Sequence, residues 1–372
     1  MKLPSLQELL QEDLDYICGN LVREFTAMSG KRLLITGGAG FLGYYLVQSV
    51  LHWNETAVGG RNISLTVFDN YARGVPAWLA SLEGRGGLAL RRHDVRHPLP
   101  DDIEDYHYII HAAGIASPIY YRKHPIETMD ANVNGLRLLL DYARERADAG
   151  SPLEGLLFYS SSEIYGDPPP EEIPTREDYR GFVSCTGPRA CYDESKRFGE
   201  TLCVNFARHY GIPVVAARPF NNYGPGLKIT DRRVIPDFAN DIMNGRDIVM
   251  LSDGSPMRTF CYSADAVCGY YKALVNGRPG EAYNIGAEGP EISMIELAER
   301  LVGCARELFG YKGTVVRKKS DETDYLVDNP NRRCPDISKA RAEIGYNPSI
   351  PLDTGLRKSL IWYHYNRSAE DA

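Results

Sequence analysis

The run Arg32-Leu33-Leu34-Ile35-Thr36 followed by Gly37-Gly38-Ala39-Gly40-Phe41-Leu42-Gly43 decides the fold. Its aliphatic half predicts a buried strand, its glycines a tight turn, and the stretch FLGYYLVQSVLHW a helix that opens at that turn. Without side chains at Gly37 and Gly40 the backbone can approach a phosphate closely, and the helix N-terminus adds roughly half a positive charge. Glycine triplets mark many ordinary turns, so the strand before and the helix after carry the reading.

Outward from this unit, short β-rich runs alternate with helical ones. SLTVFD, LALRRHD, YHYIIHAAG, GLLFYSSSE and PVVAARP read as strands; IETMDANVNGLRLLLDYARE and YDESKRFGETLCVNFARHY read as helices. Such alternation predicts an α/β fold, a doubly wound parallel sheet of Rossmann type covered on both faces. Beyond Pro219 the rhythm loosens into Gly/Pro-punctuated segments, predicting a smaller C-terminal α/β substrate domain. The expected division is an N-terminal helical extension over 1–30, a dinucleotide-binding domain over 31–218 and a substrate domain over 219–372, with the chain crossing between the last two. In the extension, Leu6, Leu9, Leu10, Leu14, Ile17, Leu21 and Phe25 form one apolar stripe, predicting a helix packed on the body or on a partner subunit.

The second strand ends in Asp69-Asn70. A carboxylate there can accept hydrogen bonds from the adenosine ribose hydroxyls and repels a 2′-phosphate, so NAD is expected rather than NADP, with Arg73 the neighbouring residue that speaks the other way. Asp94 after the third strand can meet the adenine amino group, and Ala112-Ala113-Gly114 after the fourth let a cofactor lie against bare backbone. The expected NAD contacts are Gly37, Gly40, Phe41, Leu42, Gly43, Asp69, Asn70, Asp94, Ala112 and Ala113, joined by Tyr192 and Lys196.

The 49 acidic against 42 basic residues give a formal net charge of −7, which argues against a protein built to neutralise nucleic-acid phosphates. Eight cysteines without a C-x-x-C pair point to reduced thiols and to neither a zinc site nor a disulfide framework, so no metal is expected. The acidic N-terminus lacks the apolar core of a secretory signal, and no stretch reaches the length of a membrane span. A cytoplasmic protein with no membrane partner is expected.

Tyr192-Asp193-Glu194-Ser195-Lys196 opens a helical run, and the i, i+4 spacing puts tyrosine and lysine on one face. Ser160-Ser161-Ser162-Glu163 lies upstream at a strand end. A tyrosine of reference pKa near 10 needs about three units of help to act as a base at neutral pH, roughly 4 kcal/mol, which Lys196 and a positive nicotinamide ring can supply. A hydroxyl at Ser161 can share the substrate proton. The implied chemistry is hydride transfer between a secondary alcohol and NAD, with Tyr192 as general base and acid.

The motifs GGAGFLG, FDNY, HAAGIASPIYYRKHPIETMDANVNG, SSSEIYGDP, GPRACYDESKR, RPFNNYGPG and SPMRTFCYSADAV together make residues 31–360 resemble the extended short-chain dehydrogenase/reductases that process sugar nucleotides, and among them the UDP-glucuronate decarboxylases (UDP-xylose synthases). The resemblance implies a UDP-sugar substrate, tightly held NAD and a homodimer. It implies that Tyr192 takes the proton of the sugar 4-hydroxyl while hydride leaves carbon 4, and that the 4-ketone then eases loss of carbon dioxide from carbon 5. By the same resemblance Glu163 stands near carbon 5, and Arg258 meets the uronate or assists protonation of carbon 5, a task suited to a guanidinium that stays charged and can fork onto a carboxylate. Asn221, Arg233 and Arg332 or Arg333 are placed at the diphosphate, and Tyr121 and Arg122 in the loop over the sugar.

Two departures stand out: Ser161 where such decarboxylases have threonine, and Leu251 where a tyrosine is common. A hydroxyl on an unbranched side chain is freer to rotate, which bears on how the ketone is held before its final reduction. The rival readings are a UDP-sugar or UDP-uronate 4-epimerase, which Glu163 and Arg258 disfavour, and a 4,6-dehydratase, whose acid is missing because Ser162 stands in its place. A non-catalytic NAD-binding sensor is the third, disfavoured by an intact Tyr192 and Lys196.

Overall fold

A computed structural model describes residues 3–57, 61–318 and 330–367. Strands β1 (Arg32–Thr36), β2 (Ser64–Asp69), β3 (Leu88–Arg92), β4 (Tyr108–His111), β5 (Gly155–Tyr159) and β6 (Val214–Pro219) form one parallel sheet in the order β6-β5-β4-β1-β2-β3. A seventh strand, Ala282–Ile285, returns from the C-terminal part of the chain and pairs in parallel with β6. The strand order reverses between β1 and β4, which opens a crevice at the C-terminal strand ends where such sheets bind ligands.

Side chains of β1 alternate between two cores: Leu33 and Ile35 join one apolar cluster, Leu34 the other. Helices over 136–148 and 190–210 build the second cluster with Leu34, Ile109, Leu156 and Phe158. The first cluster includes helix α3 (Gly43–Thr56), which follows the glycine turn, and the helix over Ser263–Asn276. With both faces covered, β4 and β5 are buried along their whole length.

The N-terminal stripe is not one helix. Helix α1 (Leu6–Asn20), opened by a Ser5/Glu8 capping box, stops after Gly19 and Asn20, both weak helix formers, and α2 (Val22–Met28) begins past Leu21. Both pack on the body of the same chain, where Phe25 meets Tyr271 edge-on at 4.9 Å. Asp13 of α1 is fully buried and accepts hydrogen bonds from the hydroxyl of Tyr262 (2.6 Å), from Lys358 Nζ (2.6 Å) and from the Tyr45 hydroxyl. One carboxylate thereby ties the extension to α3, to the strand end at Tyr262 and to the helix over Leu352–Asn366.

Apart from Ala282–Ile285, the described strands beyond residue 219 are two or three residues long. Asn222–Tyr223 pairs with Cys261–Tyr262, and Met257–Arg258 is flanked by Ile292–Ser293 and Arg332–Arg333. The parallel register sets Arg333 beside Arg258.

Candidate active site

The glycine turn is tight on both sides. Gly37 has φ +75°, and a Cβ there would lie 2.6 Å from the backbone of Ala113, so the turn presses on the end of β4. A Cβ at Gly43 would stand 2.0 Å from the Gly38 carbonyl oxygen, closing the turn onto the start of α3. Asp69 accepts from the amides of Ala39 (3.0 Å) and Tyr71 (2.8 Å) and keeps spare lone pairs. Burial pushes its pKa up and the two amides oppose this. Asp94 is forked by Arg96 (2.9 and 2.7 Å) and also accepts from Asn70 Nδ2 (3.1 Å), interactions led by Arg96 that hold it well below the usual carboxylate range. A turn of small residues at a helix N-terminus, a bare strand end at Ala112-Ala113-Gly114 and a carboxylate fixed at the end of β2 fit a dinucleotide.

The helix Ala190–Tyr210 carries Tyr192 and Lys196, both buried. Lys196 Nζ donates to the Tyr159 carbonyl (2.6 Å) and sits 5.6 Å from the centre of the Tyr192 ring. Burial pushes Tyr192 up to about 12, opposed by its hydrogen bond with Ser161, and burial brings Lys196 down to about 7. Both groups are therefore driven toward their neutral forms, and added positive charge beside the phenol would favour the phenolate. Tyr121 stacks on Tyr192 with centroids 5.0 Å apart and planes 12° apart. Asn132 lies in the π-helical turn Asp130–Gly135, donates to Ser195 Oγ (2.9 Å) and keeps its buried Oδ1 without a hydrogen-bond partner. That Oδ1 and Lys196 Nζ both face Gly114, 2.8 and 3.6 Å from where a Cβ would stand. Sequence reading assigned Asn132 no role, because a single asparagine in a helical run carries no signal.

Ser161 caps the short helix Ser162–Tyr165, its Oγ accepting from the Glu163 amide (3.2 Å). From behind, Ser160 Oγ donates to Glu200, which Arg218 forks at 2.8 and 2.6 Å. Glu163 is gripped by two guanidinium groups, Arg189 on one carboxylate oxygen and Arg333 on the other. Burial raises its pKa, but Arg189, Arg333 and the nearby Arg258 together hold the carboxylate ionised, well below its ordinary value. Arg258 itself is buried, donates to the carbonyls of Met257 (2.7 Å) and Asn331 (3.1 Å), and is pulled down to about 10 by burial and by Arg333. Nε and Nη2 of Arg333 are buried with no hydrogen-bond partner among the described residues. Three guanidinium groups thus converge on Glu163, with Asp193 beside Arg189, and the two Arg333 nitrogens are donors that an anionic group can take.

Of the diphosphate candidates, Asn221 adopts φ +41° and its Nδ2 donates to the Thr259 carbonyl (2.9 Å). Arg233 lies over the Phe41 ring at 5.5 Å and pairs with Asp231. Arg122 donates to the Pro118 carbonyl of its own short helix (3.0 Å). Arg332 is not brought to the site: it forks outward onto Glu291 at 2.9 and 2.7 Å. Successive residues of a strand face opposite ways, so of the two arginines it is Arg333 that points inward, onto Glu163. Arg189 is the other residue without a sequence-assigned role, although the PRACYDESKR motif contains it.

The family model described as the NAD dependent epimerase/dehydratase family matches residues 33–286. A UDP-glucuronic acid decarboxylase of Arabidopsis thaliana is 38% identical over 88% of this chain and 87% of its own length, and one of Xenopus tropicalis is 36% identical over 90% and 72%. Among solved structures, an epimerase of Methanothermobacter thermautotrophicus superposes with a TM-score of 0.78 at 26% identity, covering 95% of this chain and 98% of that one. A dTDP-glucose 4,6-dehydratase of Streptomyces venezuelae, solved with NAD bound, gives 0.75 at 26% identity over 91% and 98%. The chain belongs to the NAD dependent epimerase/dehydratase family, an extended short-chain dehydrogenase/reductase of the UDP-glucuronic acid decarboxylase group.

Proposed function

We propose that this protein is an NAD-dependent UDP-glucuronate decarboxylase working through a 4-keto sugar. The observation that carries the reading is the ionised Glu163 set among Arg189, Arg333 and Arg258 beside the Tyr192–Ser161 pair, a cluster that suits a uronate better than a neutral hydroxymethyl group. Tyr192 takes the proton of the 4-hydroxyl, with Ser161 sharing it and Lys196 favouring the phenolate. Bound NAD supplies reversible hydride acceptance at carbon 4. Once carbon 4 is a ketone, the bond between carbon 5 and the carboxylate breaks, carbon dioxide leaves, and the electron pair is delocalised onto the ketone oxygen. The arginine cluster orients the carboxylate and Arg258 assists protonation of carbon 5. Return of hydride to carbon 4, with Tyr192 giving back its proton, yields UDP-xylose; release before that step yields the UDP-4-keto-pentose.

In this reading the glycine turn, Asp69, Asn70, Asp94, Ala112 and Ala113 hold the cofactor, Asn221 and Arg233 the diphosphate, and Tyr121 the sugar. Residues 31–218 supply most of the dinucleotide domain and the chain beyond 219 the nucleotide-sugar domain, with a crossing back in which the helix Ser263–Asn276 and the strand Ala282–Ile285 complete the dinucleotide domain. No helix among the described residues is long and apolar enough to cross a membrane. Eight free cysteines suit a reducing compartment, and on that ground we place the protein in the cytoplasm. Homodimerisation is supported by the exposed Ile126 and Phe198 on helices that pack side by side.

The test is incubation with UDP-glucuronate and NAD, with measurement of carbon dioxide and the mass of the nucleotide product. Carbon dioxide and a pentose product are expected; a mass-neutral isomer without carbon dioxide would replace the proposal with an epimerase.

A further inference from the structure

Arg73 stands just beyond Asp69, where an arginine ordinarily serves the 2′-phosphate of NADP. The loop keeps it close: Tyr71 has φ +54° and donates its amide to Asp69, and the Gly74 amide donates to the Tyr71 carbonyl (2.9 Å). Its guanidinium is nevertheless engaged elsewhere. Nη1 donates to Asp231 Oδ2 (3.1 Å) and the group lies 4.9 Å from the centre of the Tyr120 ring.

Asp231 is buried, with its other carboxylate oxygen on Arg233. Its backbone is fixed on both sides, the amide donating to the Lys228 carbonyl (3.0 Å) and the carbonyl accepting from Ser117 Oγ (2.9 Å). Lys228 Nζ reaches the Arg73 carbonyl at 3.3 Å. This segment is pressed onto the glycine turn: a Cβ at Gly226 would stand 2.4 Å from Tyr44 Cβ and 2.8 Å from the Phe41 carbonyl oxygen. A carboxylate from the substrate side thus crosses the cofactor turn to hold an arginine on the ribose side.

We propose that Asp231 is a determinant of cofactor choice: by holding Arg73 it withholds from a 2′-phosphate the guanidinium that would otherwise offset the repulsion of Asp69. NAD preference then has two parts, one at the end of β2 and one delivered from the far side of the crevice. The proposal concerns nucleotide binding and does not depend on which sugar is converted.

The test titrates cofactor-stripped protein with NADH and NADPH by fluorescence and takes the ratio of the two affinities. Asp231→Asn keeps the shape but weakens the hold, and should raise the ratio of NADPH to NADH affinity about tenfold, near the lower end of what a charge-assisted hydrogen bond contributes. Asp69 remains, so the preference shrinks without inverting. The double variant Asp231→Asn/Arg73→Ala should return the ratio to that of the wild type. Arg73→Ala alone, which leaves the Asp231–Arg233 pair in place and decides the matter even where Asp231→Asn fails to fold, should leave the ratio unchanged. An unchanged ratio in folded Asp231→Asn, a gain that survives in the double variant, or a fall in Arg73→Ala would overturn the proposal.

Discussion

In the proposed site, the cofactor side and the sugar side of the crevice are built on different principles. The cofactor side is mostly backbone: a turn whose glycines leave no room for side chains, a bare strand end at Ala112-Ala113-Gly114, and one carboxylate pinned by two amides. The sugar side is side chain, with Glu163, Arg189, Arg258 and Arg333 delivered by four separate segments onto one spot. Backbone sites are made of neighbours in sequence, while charge clusters are made of neighbours in space. The two should fail in different ways.

The largest effect is expected where the two sides meet. Tyr192→Phe should lower kcat by about a thousandfold, since the proton transfer has no substitute, while the purified protein keeps its NAD. Stopped turnover with cofactor retained is read by nucleotide assay of the same sample, and undiminished turnover would remove Tyr192 from the chemistry. Next is Gly37→Ala, where both the positive φ and the 2.6 Å approach to Ala113 forbid a side chain. It should lose bound NAD without losing the arginine cluster, and full cofactor occupancy would show that the turn is not the seat of the pyrophosphate.

Arg333→Ala is the converse. It should keep NAD yet cut kcat/KM for UDP-glucuronate about a hundredfold, because the uronate loses a charge-assisted partner that contributes up to about 3 kcal/mol. Arg332→Ala, one position away and forked outward onto Glu291, should change kcat/KM less than twofold. Equal losses in the two variants would dissolve the distinction between inward and outward arginines.

The smallest effect concerns pH. The folded pKa of Glu163 is depressed, so its ion pairs stabilise the fold fully above the unfolded value near 4.3 and lose that contribution as pH falls below it toward the folded value. Removing Arg189 leaves the depression weaker and the charge less compensated. Arg189→Met should therefore lower Tm at pH 7, and the gap to the wild type should persist down to about pH 4 and close only as pH falls on toward the folded value of about 2. A gap that widens on acidification would reverse the assigned sign.

The same contrast explains what the sequence disclosed. The parallel sheet, the glycine turn, the Tyr192/Lys196 pair and the family are readable because strand, turn and helix follow one another along the chain and periodicity reports burial directly. Arg189 and Asn132 stayed silent because nothing in their spacing tells which wall of a crevice a side chain meets. Arg332 and Arg333 stay alternatives in the sequence because adjacent arginines are indistinguishable until a strand assigns each a face. The break at Leu21 was hidden by an apolar stripe that runs across both helices, since the stripe follows the shared core rather than the path of the backbone.

The most direct measurement is a quenched single turnover of the NAD-loaded protein with UDP-glucuronate carrying labelled carbon in its carboxyl group, following labelled carbon dioxide and cofactor absorbance together. Reduced cofactor should rise first and labelled carbon dioxide follow, leaving an unlabelled pentose product. Labelled carbon dioxide without cofactor reduction, or a uronate isomer that keeps the label, would contradict oxidation at carbon 4 as the step that makes decarboxylation possible.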